Sequence, residues 1–303
     1  MRIRDQIRDC VCYIVAFRGG VQSSIGTAFV VSKKIGFENQ VTCYVVTAAH
    51  CLFDDFEGEP DDIGLVFNMR NGGAEGFMVD RNLWIVHPES DVAILHFVPD
   101  SNRFQYGAYA IESAAPRDFR ESLSIGAGDD TFVTGLLVQH PGRTRILPIV
   151  RLGSIASIPS DTVRLELEGG REVDEHVILV EVKSIGGLSG SPVYLHLPFW
   201  RDAKKGILHN EEDASAASGG QSRLLGVMHG YFKVEVNDPD NVSKGEDLNT
   251  GIAVVIPIDR VLELIDSPEQ VKLRDDVRTA FERRDKTAPT AVATLDNADD
   301  AGD

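Results

Sequence analysis

No stretch of this chain approaches the roughly 18 consecutive apolar residues of a membrane-spanning helix, which excludes such a helix. The first nine residues, Met1 to Asp9, alternate charges with few apolar side chains, and the hydrophobic centre of a secretory leader is missing. A cytoplasmic protein is therefore expected. Positive charge is scarce against negative: 30 Lys and Arg face 47 Asp and Glu, for a formal net charge of -17. A nucleic-acid backbone or an anionic membrane needs cationic surface, so neither is expected as a partner. Cysteine is rare, with four residues at 10, 12, 43 and 51. Cys10 and Cys12 lie two apart in an apparent strand and point to opposite faces, which disfavours joint ligation. Free, buried thiols in a reducing compartment are expected, with no metal and no cofactor. A glycine-rich phosphate loop followed by Lys and Ser or Thr is also missing, which removes the simplest case for phosphotransfer.

What the chain does have is short strands. Cys12 to Phe17, Thr27 to Ser32, Gln40 to Thr47, Asp62 to Asn68, Gly76 to Val79, Leu83 to Val86 and Asp91 to Phe97 are apolar-rich runs separated by polar turns. They predict a barrel of six or seven strands after a short N-terminal helix. Breakers cluster over residues 100–120, and the strand pattern then resumes at Thr131 to Val138, Arg145 to Gly153, Thr162 to Leu167, Val177 to Val182, Ser191 to Leu195, Leu224 to His229 and Gly251 to Ile256. Polar stretches at 53–62, 202–223 and 237–249 read as surface loops. After Pro257 the period changes: Ile258, Val261, Leu262 and Ile265 recur at three- and four-residue steps and predict a helix. A second helix is predicted from Glu269 to about Arg284, with Val271, Val277 and Phe281 as its apolar face. The 303 residues suffice for two modest cores, and the predicted division is residues 8–107, 108–265, a helix over 266–286 and a disordered tail over 287–303.

The chemistry points to Lys183-Ser184-Ile185-Gly186-Gly187-Leu188-Ser189-Gly190-Ser191-Pro192, a glycine-rich turn between two strand-like runs. Glycines free the backbone to aim several amides at one spot, as a developing oxyanion requires, but alone the stretch reads more readily as an ordinary hairpin. Two upstream segments add weight. Val45-Val46-Thr47-Ala48-Ala49-His50 ends a hydrophobic run in a histidine, and Asp91 stands before the run Val92 to Leu95. A His, an Asp and a Ser, each at a strand edge, are the parts of a base, an orienting carboxylate and a nucleophile. His87, four residues before Asp91, competes with His50 but lacks the small-residue approach Thr47-Ala48-Ala49. His140, His176, His196 and His209 flank turns or strand ends and need no special role.

These segments, with Gly26-Thr27-Ala28-Phe29-Val30-Val31, Leu225-Gly226-Val227-Met228-His229-Gly230 and Gly251 to Pro257, resemble the chymotrypsin-like (trypsin-fold) serine peptidases, in the same order His, Asp, Ser. The resemblance is nearest to bacterial trypsin-like peptidases related to the HtrA protease domain and covers about residues 8 to 265. It implies an all-β fold of two antiparallel six-stranded barrels, here followed by C-terminal helices, and a polypeptide substrate. It also implies His50, Asp91 and Ser189 as the catalytic residues of an endopeptidase working through an acyl-enzyme, with the amides of Gly187 and Ser189 as the oxyanion hole. No room is left for the peptide-binding PDZ domain of the HtrA relatives, and no oligomeric state is implied.

Leu188 departs from the secreted trypsin relatives, which carry an aspartate there, so activity without N-terminal processing is expected. In the resembled fold the substrate pocket is bordered by Lys183 to Gly186 and by Val227 to Tyr231. Ser184, Met228, His229 and Gly230 are the predicted substrate-binding residues. Ser184 and His229 resemble a pair that reads acidic or amide side chains. Strand alternation equally aims His229 at Asp91 and leaves Met228 to line an apolar pocket. Lys183 near the position of trypsin's pocket aspartate speaks against cleavage after Lys or Arg. The alternatives are a non-catalytic binding module on the same fold and an α/β-hydrolase esterase, whose Ser-acid-His order and final glycine this chain lacks.

Overall fold

The computed structural model describes residues 3–18, 21–52, 62–137, 140–167, 171–183, 187–198, 221–235 and 247–287. The acidic loop predicted at 53–62 lies outside the described residues except for Asp62, as do most of the loops predicted at 202–223 and 237–249, His209 and the tail beyond Thr287.

The strands are β1 (Val11–Arg18), β2 (Val21–Lys34), β3 (Val41–Thr47), β4 (Asp62–Met69), β5 (Ala74–Val79), β6 (Trp84–Val86), β7 (Ala93–His96), β8 (Phe104–Gln105), β9 (Tyr109–Ala110), β10 (Asp130–Gly135), β11 (Ile149–Ser157), β12 (Val163–Leu167), β13 (Arg171–Glu175), β14 (Ile178–Glu181), β15 (Pro192–Leu197), β16 (Gln221–Glu235) and β17 (Asp247–Pro257). The helices are α1 (Asp5–Arg8), α2 (Arg117–Ser122), α3 (Ile258–Ile265) and α4 (Pro268–Thr287).

The expectation of two six-stranded barrels fails. Among the described residues only the second half closes, as a six-stranded barrel in the order β10-β11-β14-β17-β16-β15. The first half is an open sheet of nine strands, with the path β5-β4-β1-β2-β3-β7-β6 and with β8 and β9 added on β4 and β2. The reason lies between β5 and β6, which end up on opposite edges of the path. A 3-10 turn at Arg81–Leu83 separates them, its first amides held by Asp80, whose carboxylate accepts from the Asn82 amide at 2.9 Å. After this corner β6 has only three residues and, among the described residues, pairs with β7 alone. The hairpin β12–β13 stands apart as its own two-stranded sheet. The predicted division at 107/108 falls between β8 and β9, and β9 still pairs with β2.

Strand alternation explains how the halves join. On β1, Cys12, Ile14 and Ala16 face the main core, while Val11, Tyr13 and Val15 face a cluster with Leu136 and Ile146 of the second half. In the closed barrel Val133, Val193, Leu195 and Met228 fill the interior, and Phe132, Tyr194, Leu224 and Val227 face outward into the main core. The two halves thus share one apolar seam. Helix α3 covers it with Ile258, Val261, Leu264 and Ile265, all buried. Helix α4 is attached differently from the predicted apolar face, since Val271 is 39 % exposed. The buried Arg274 donates to the Tyr44 hydroxyl at 3.1 Å and to Asp266 at 2.9 Å, and Phe281 stacks on Phe37. Among the described residues no helix is long and apolar enough to cross a membrane.

Candidate active site

His50 enters the site from β3 through a 3-10 turn at Ala49–Leu52. Ala48 and Ala49 are small enough for that turn to lie against the core, where both are buried. Asp91 stands just before β7, and the pairing of Thr47 with Ala93 sets the end of β3 beside the start of β7. Asp91 then fixes the histidine twice: Oδ1 accepts the His50 backbone amide at 2.9 Å and Oδ2 accepts Nδ1 of its ring at 2.7 Å. Because that Nδ1 is a donor, the neutral ring carries its lone pair on Nε2.

The serine comes from the closed barrel, between β14 and β15. Leu188, in place of the aspartate of the secreted relatives, is buried inside the barrel and anchors the turn by packing. The Ser191 amide closes the turn on the Leu188 carbonyl at 3.0 Å, and Gly190 N donates to the Met228 carbonyl at 2.8 Å. Glycine is required at 190, where φ is 78° and a Cβ would come within 2.1 Å of the Thr27 carbonyl oxygen. Gly187 also has a positive φ, 96°.

His229 on β16 completes the group. Its Nδ1 donates to Asp91 Oδ2 at 2.5 Å, and its ring lies edge-on to His50 with centroids 5.4 Å apart. One buried carboxylate oxygen therefore serves two imidazoles. The Ser189 hydroxyl donates to the His229 backbone carbonyl at 3.1 Å, and among the described residues no hydrogen bond joins Ser189 to His50. The Asp91 side chain is 2 % exposed, that of His229 18 % and that of His50 36 %.

The electrostatics follow from this arrangement. Burial by itself would raise the Asp91 carboxyl, but the charge of His50 and the hydrogen bonds from both imidazoles hold it far below the usual carboxylate range. Burial alone would lower the His50 imidazole. Attraction and hydrogen bonding to Asp91, with a further contribution from Cys51, outweigh it and hold the ring well above its ordinary value. The ligand atoms of His50, Asp91 and His229 lie within 4.8 Å of one another, the only such grouping of three among the described residues. The two short hydrogen bonds already account for their closeness. All four cysteines are free and buried, and burial pushes the thiols of Cys43 and Cys10 up to about 11 and about 12.

The other predicted residues are distributed unevenly. Ser184 lies outside the described residues, as does Gly186. Met228 is fully buried in the barrel core and presents no surface to a substrate, contrary to the pocket expected around it. Gly230 is half-buried, with open space where a Cβ would stand. His87 is not at the site: its Nε2 donates to Glu263 of α3 at 2.9 Å, while its Nδ1 accepts the Glu89 amide. Thr27, which bonds the serine turn, and Thr47, whose hydroxyl donates to the Thr27 carbonyl, have no role in the sequence reading.

The fold that holds these residues is that of a trypsin-like peptidase domain. The chain belongs to the trypsin-like peptidase domain family, whose model matches residues 26–196, more than half of its length. The match contains His50, Asp91 and Ser189 and ends before His229. No curated protein matches the chain by sequence. Among solved structures it is similar to the inactive form of the Rv3671c protease, 17 % identical over 86 % of this chain and 89 % of that one, with a TM-score of 0.45. The active form of the same protease, from M. tuberculosis, is 15 % identical over 86 % and 81 %, at 0.44. Deg5 is 15 % identical over 86 % and 88 %, at 0.45. At these scores and identities none of them transfers a residue role to this chain.

Proposed function

We propose that the protein is a serine endopeptidase in which His50, Asp91 and Ser189 form the catalytic triad. The observation that carries this reading is the two-point grip of buried Asp91 on His50, which leaves Nε2 as the base while Ser189 stands on the adjoining turn. On binding a polypeptide the Ser189 hydroxyl leaves the His229 carbonyl and turns to His50. Ser189 Oγ bonds to the scissile carbonyl carbon as its proton passes to His50 Nε2, and the amides of Gly187 and Ser189 hold the oxyanion. The C–N bond then breaks as His50 returns the proton to the departing amine. Water, deprotonated by the same ring, releases the acyl group. Asp91 remains ionised throughout and stabilises the imidazolium.

A fluorophosphonate probe tests the nucleophile: the parent protein is labelled and Ser189→Ala is not. Equal labelling of the variant removes Ser189 from the role. The second reading, a non-catalytic binding module, is favoured by one observation, the Ser189 hydrogen bond to His229 rather than to His50. It predicts no labelling of the parent and no cleavage of a broad peptide library.

For specificity, a fully buried Met228 gives no support to an apolar pocket built on that side chain, and His229 has its Nδ1 committed to Asp91. Lys183 is exposed at the approach to the turn, so cleavage after Lys or Arg is not expected in the same library. Four free, buried thiols fit a reducing compartment, in keeping with a cytoplasmic protein.

A further inference from the structure

The proposed reaction needs the amides of Gly187 and Ser189 to stay aimed at one point. Their turn is nevertheless built on glycines and lacks the aspartate of the secreted relatives. We infer that Thr27, a residue of the open sheet, is the positioning residue that sets this oxyanion turn; the inference rests on the serine-peptidase reading above.

Thr27 is fully buried and spends every polar atom on the junction. Its Oγ1 donates to the Gly187 carbonyl at 2.7 Å and accepts the Leu136 amide at 2.9 Å. Its backbone amide donates to the Ser189 carbonyl at 2.9 Å, and its own carbonyl accepts from Thr47 Oγ1 at 2.8 Å. The carbonyls of Gly187 and Ser189 are thus both tied to Thr27, and that of Leu188 to the Ser191 amide. Among the described residues the amides of Gly187, Leu188 and Ser189 donate to nothing. A turn whose carbonyls are all tied back keeps those donors for a developing negative charge.

The hydroxyl has a specific mechanical effect. A peptide plane holds its C=O and N–H rigidly on opposite sides. Anchoring the Gly187 carbonyl therefore fixes the plane of the Gly187–Leu188 bond and constrains the ψ of Gly187, one of the four torsions, φ and ψ of Gly187 and Leu188, that together relate the amide of Gly187 to that of Ser189. Glycine at φ 96° has no side chain to restrict that torsion. Without the Thr27 hydroxyl, Gly187 O and Leu136 N lose their partner together, and nothing else among the described residues holds the carbonyl down.

The test compares Thr27→Val, which keeps the shape and loses the hydroxyl, with Thr27→Ser, which keeps the hydroxyl. Labelling by the fluorophosphonate probe is followed to completion, because its phosphoryl oxygen, on which negative charge develops as Ser189 Oγ adds to phosphorus and fluoride leaves, uses the same amides. The rate for Thr27→Val is expected to fall about 10- to 100-fold at an unchanged final extent, and Thr27→Ser to return close to the parent rate. A purely structural role lowers the final extent and the melting temperature instead and leaves the rate of the folded fraction alone. A parent-like rate for Thr27→Val overturns the proposal. Should Thr27→Val not fold, Thr27→Ala is compared with Thr27→Ser in the same assay, and equal rates overturn it. Ser189→Ala is run beside them: its labelling at the parent rate would defeat the serine-peptidase reading itself, whatever Thr27 does.

Discussion

The closed barrel and the open sheet contribute to one site on different terms. The barrel satisfies every strand edge, and from that rigid wall it presents Ser189 on a turn and His229 on β16. The open sheet leaves two edges, β5 and β6, yet it supplies the more tightly bound pair, His50 and Asp91. The resolution is where the pair sits. His50 follows β3 and Asp91 precedes β7, neighbours inside the sheet and remote from β5. A sheet need not close to build a site, provided that the site grows from strands paired on the side that packs against its partner half.

The sharpest way to break that comparison is to cut the link between halves at Asp91. Asp91→Asn removes the charge that both imidazoles share and lets His50 take the other tautomer. A loss of about 10⁴-fold in kcat is expected, the size seen when a triad carboxylate becomes an amide. Turnover of a peptide found by library cleavage measures it, with far-UV circular dichroism to show that the fold survives. A loss of only a few-fold would mean that Asp91 does not orient the base.

His229 sharpens the comparison from the barrel side. Removing its Nδ1–H leaves Asp91 with fewer donors, so the carboxylate becomes a stronger acceptor for His50 and raises the imidazole further. On the triad reading neutral His50 is the active form, so the acid limb of kcat/KM is expected above the ordinary imidazole value and is expected to move to higher pH in His229→Ala. His229→Asn, which can still donate, should move it less. The stability signs run in opposite directions. A His50 raised in the folded state contributes stability that is full below its unfolded pKa of about 6.5 and is lost as pH rises through the folded one. A depressed Asp91 contributes stability above about 3.9, lost as pH falls through its folded value. An acid limb that stays in place for His229→Ala removes His229 from any part in tuning the base.

Most strands were legible because apolar runs between polar turns survive in either architecture. Closure was not: whether β6 meets β5 depends on the corner at Asp80 to Leu83, and Leu83 reads in sequence as the start of a strand, not as part of a corner. Strand β13 was missed because Arg171, Glu172, Asp174 and Glu175 surround a single Val173. The order of His50, Asp91 and Ser189 was readable as chemistry at strand ends. The contact between His229 and Asp91 was readable only as one outcome of strand alternation. Thr27 and Arg274 gave no sign, since a buried threonine or arginine looks in sequence like any exposed one.

Packing offers a smaller test. Leu188 sits inside the closed barrel, so Leu188→Ala opens a cavity and should cost about 2–5 kcal/mol, read as a lower urea midpoint. The serine turn loses its apolar anchor in the same step, and fluorophosphonate labelling should slow. A midpoint shift without slower labelling would show that the hydrogen bonds from Thr27 and Met228 hold the turn unaided.

The smallest effect is expected at the open edge. Met78 on β5 is 48 % exposed, and β5 pairs only with β4 among the described residues. Met78→Lys replaces an exposed apolar side chain with a charged one and removes no backbone bond. It should change stability by no more than about 0.5 kcal/mol and leave turnover unchanged, as surface substitutions usually do. A lysine on an unpaired strand also discourages edge-to-edge association, so any self-association of the parent by this edge should diminish on sizing at high concentration. Urea unfolding and kcat measured together decide the point. If Met78→Lys lowered both substantially, β5 would have to be covered in the working protein, and the contrast between a closed half and an open one would no longer describe it.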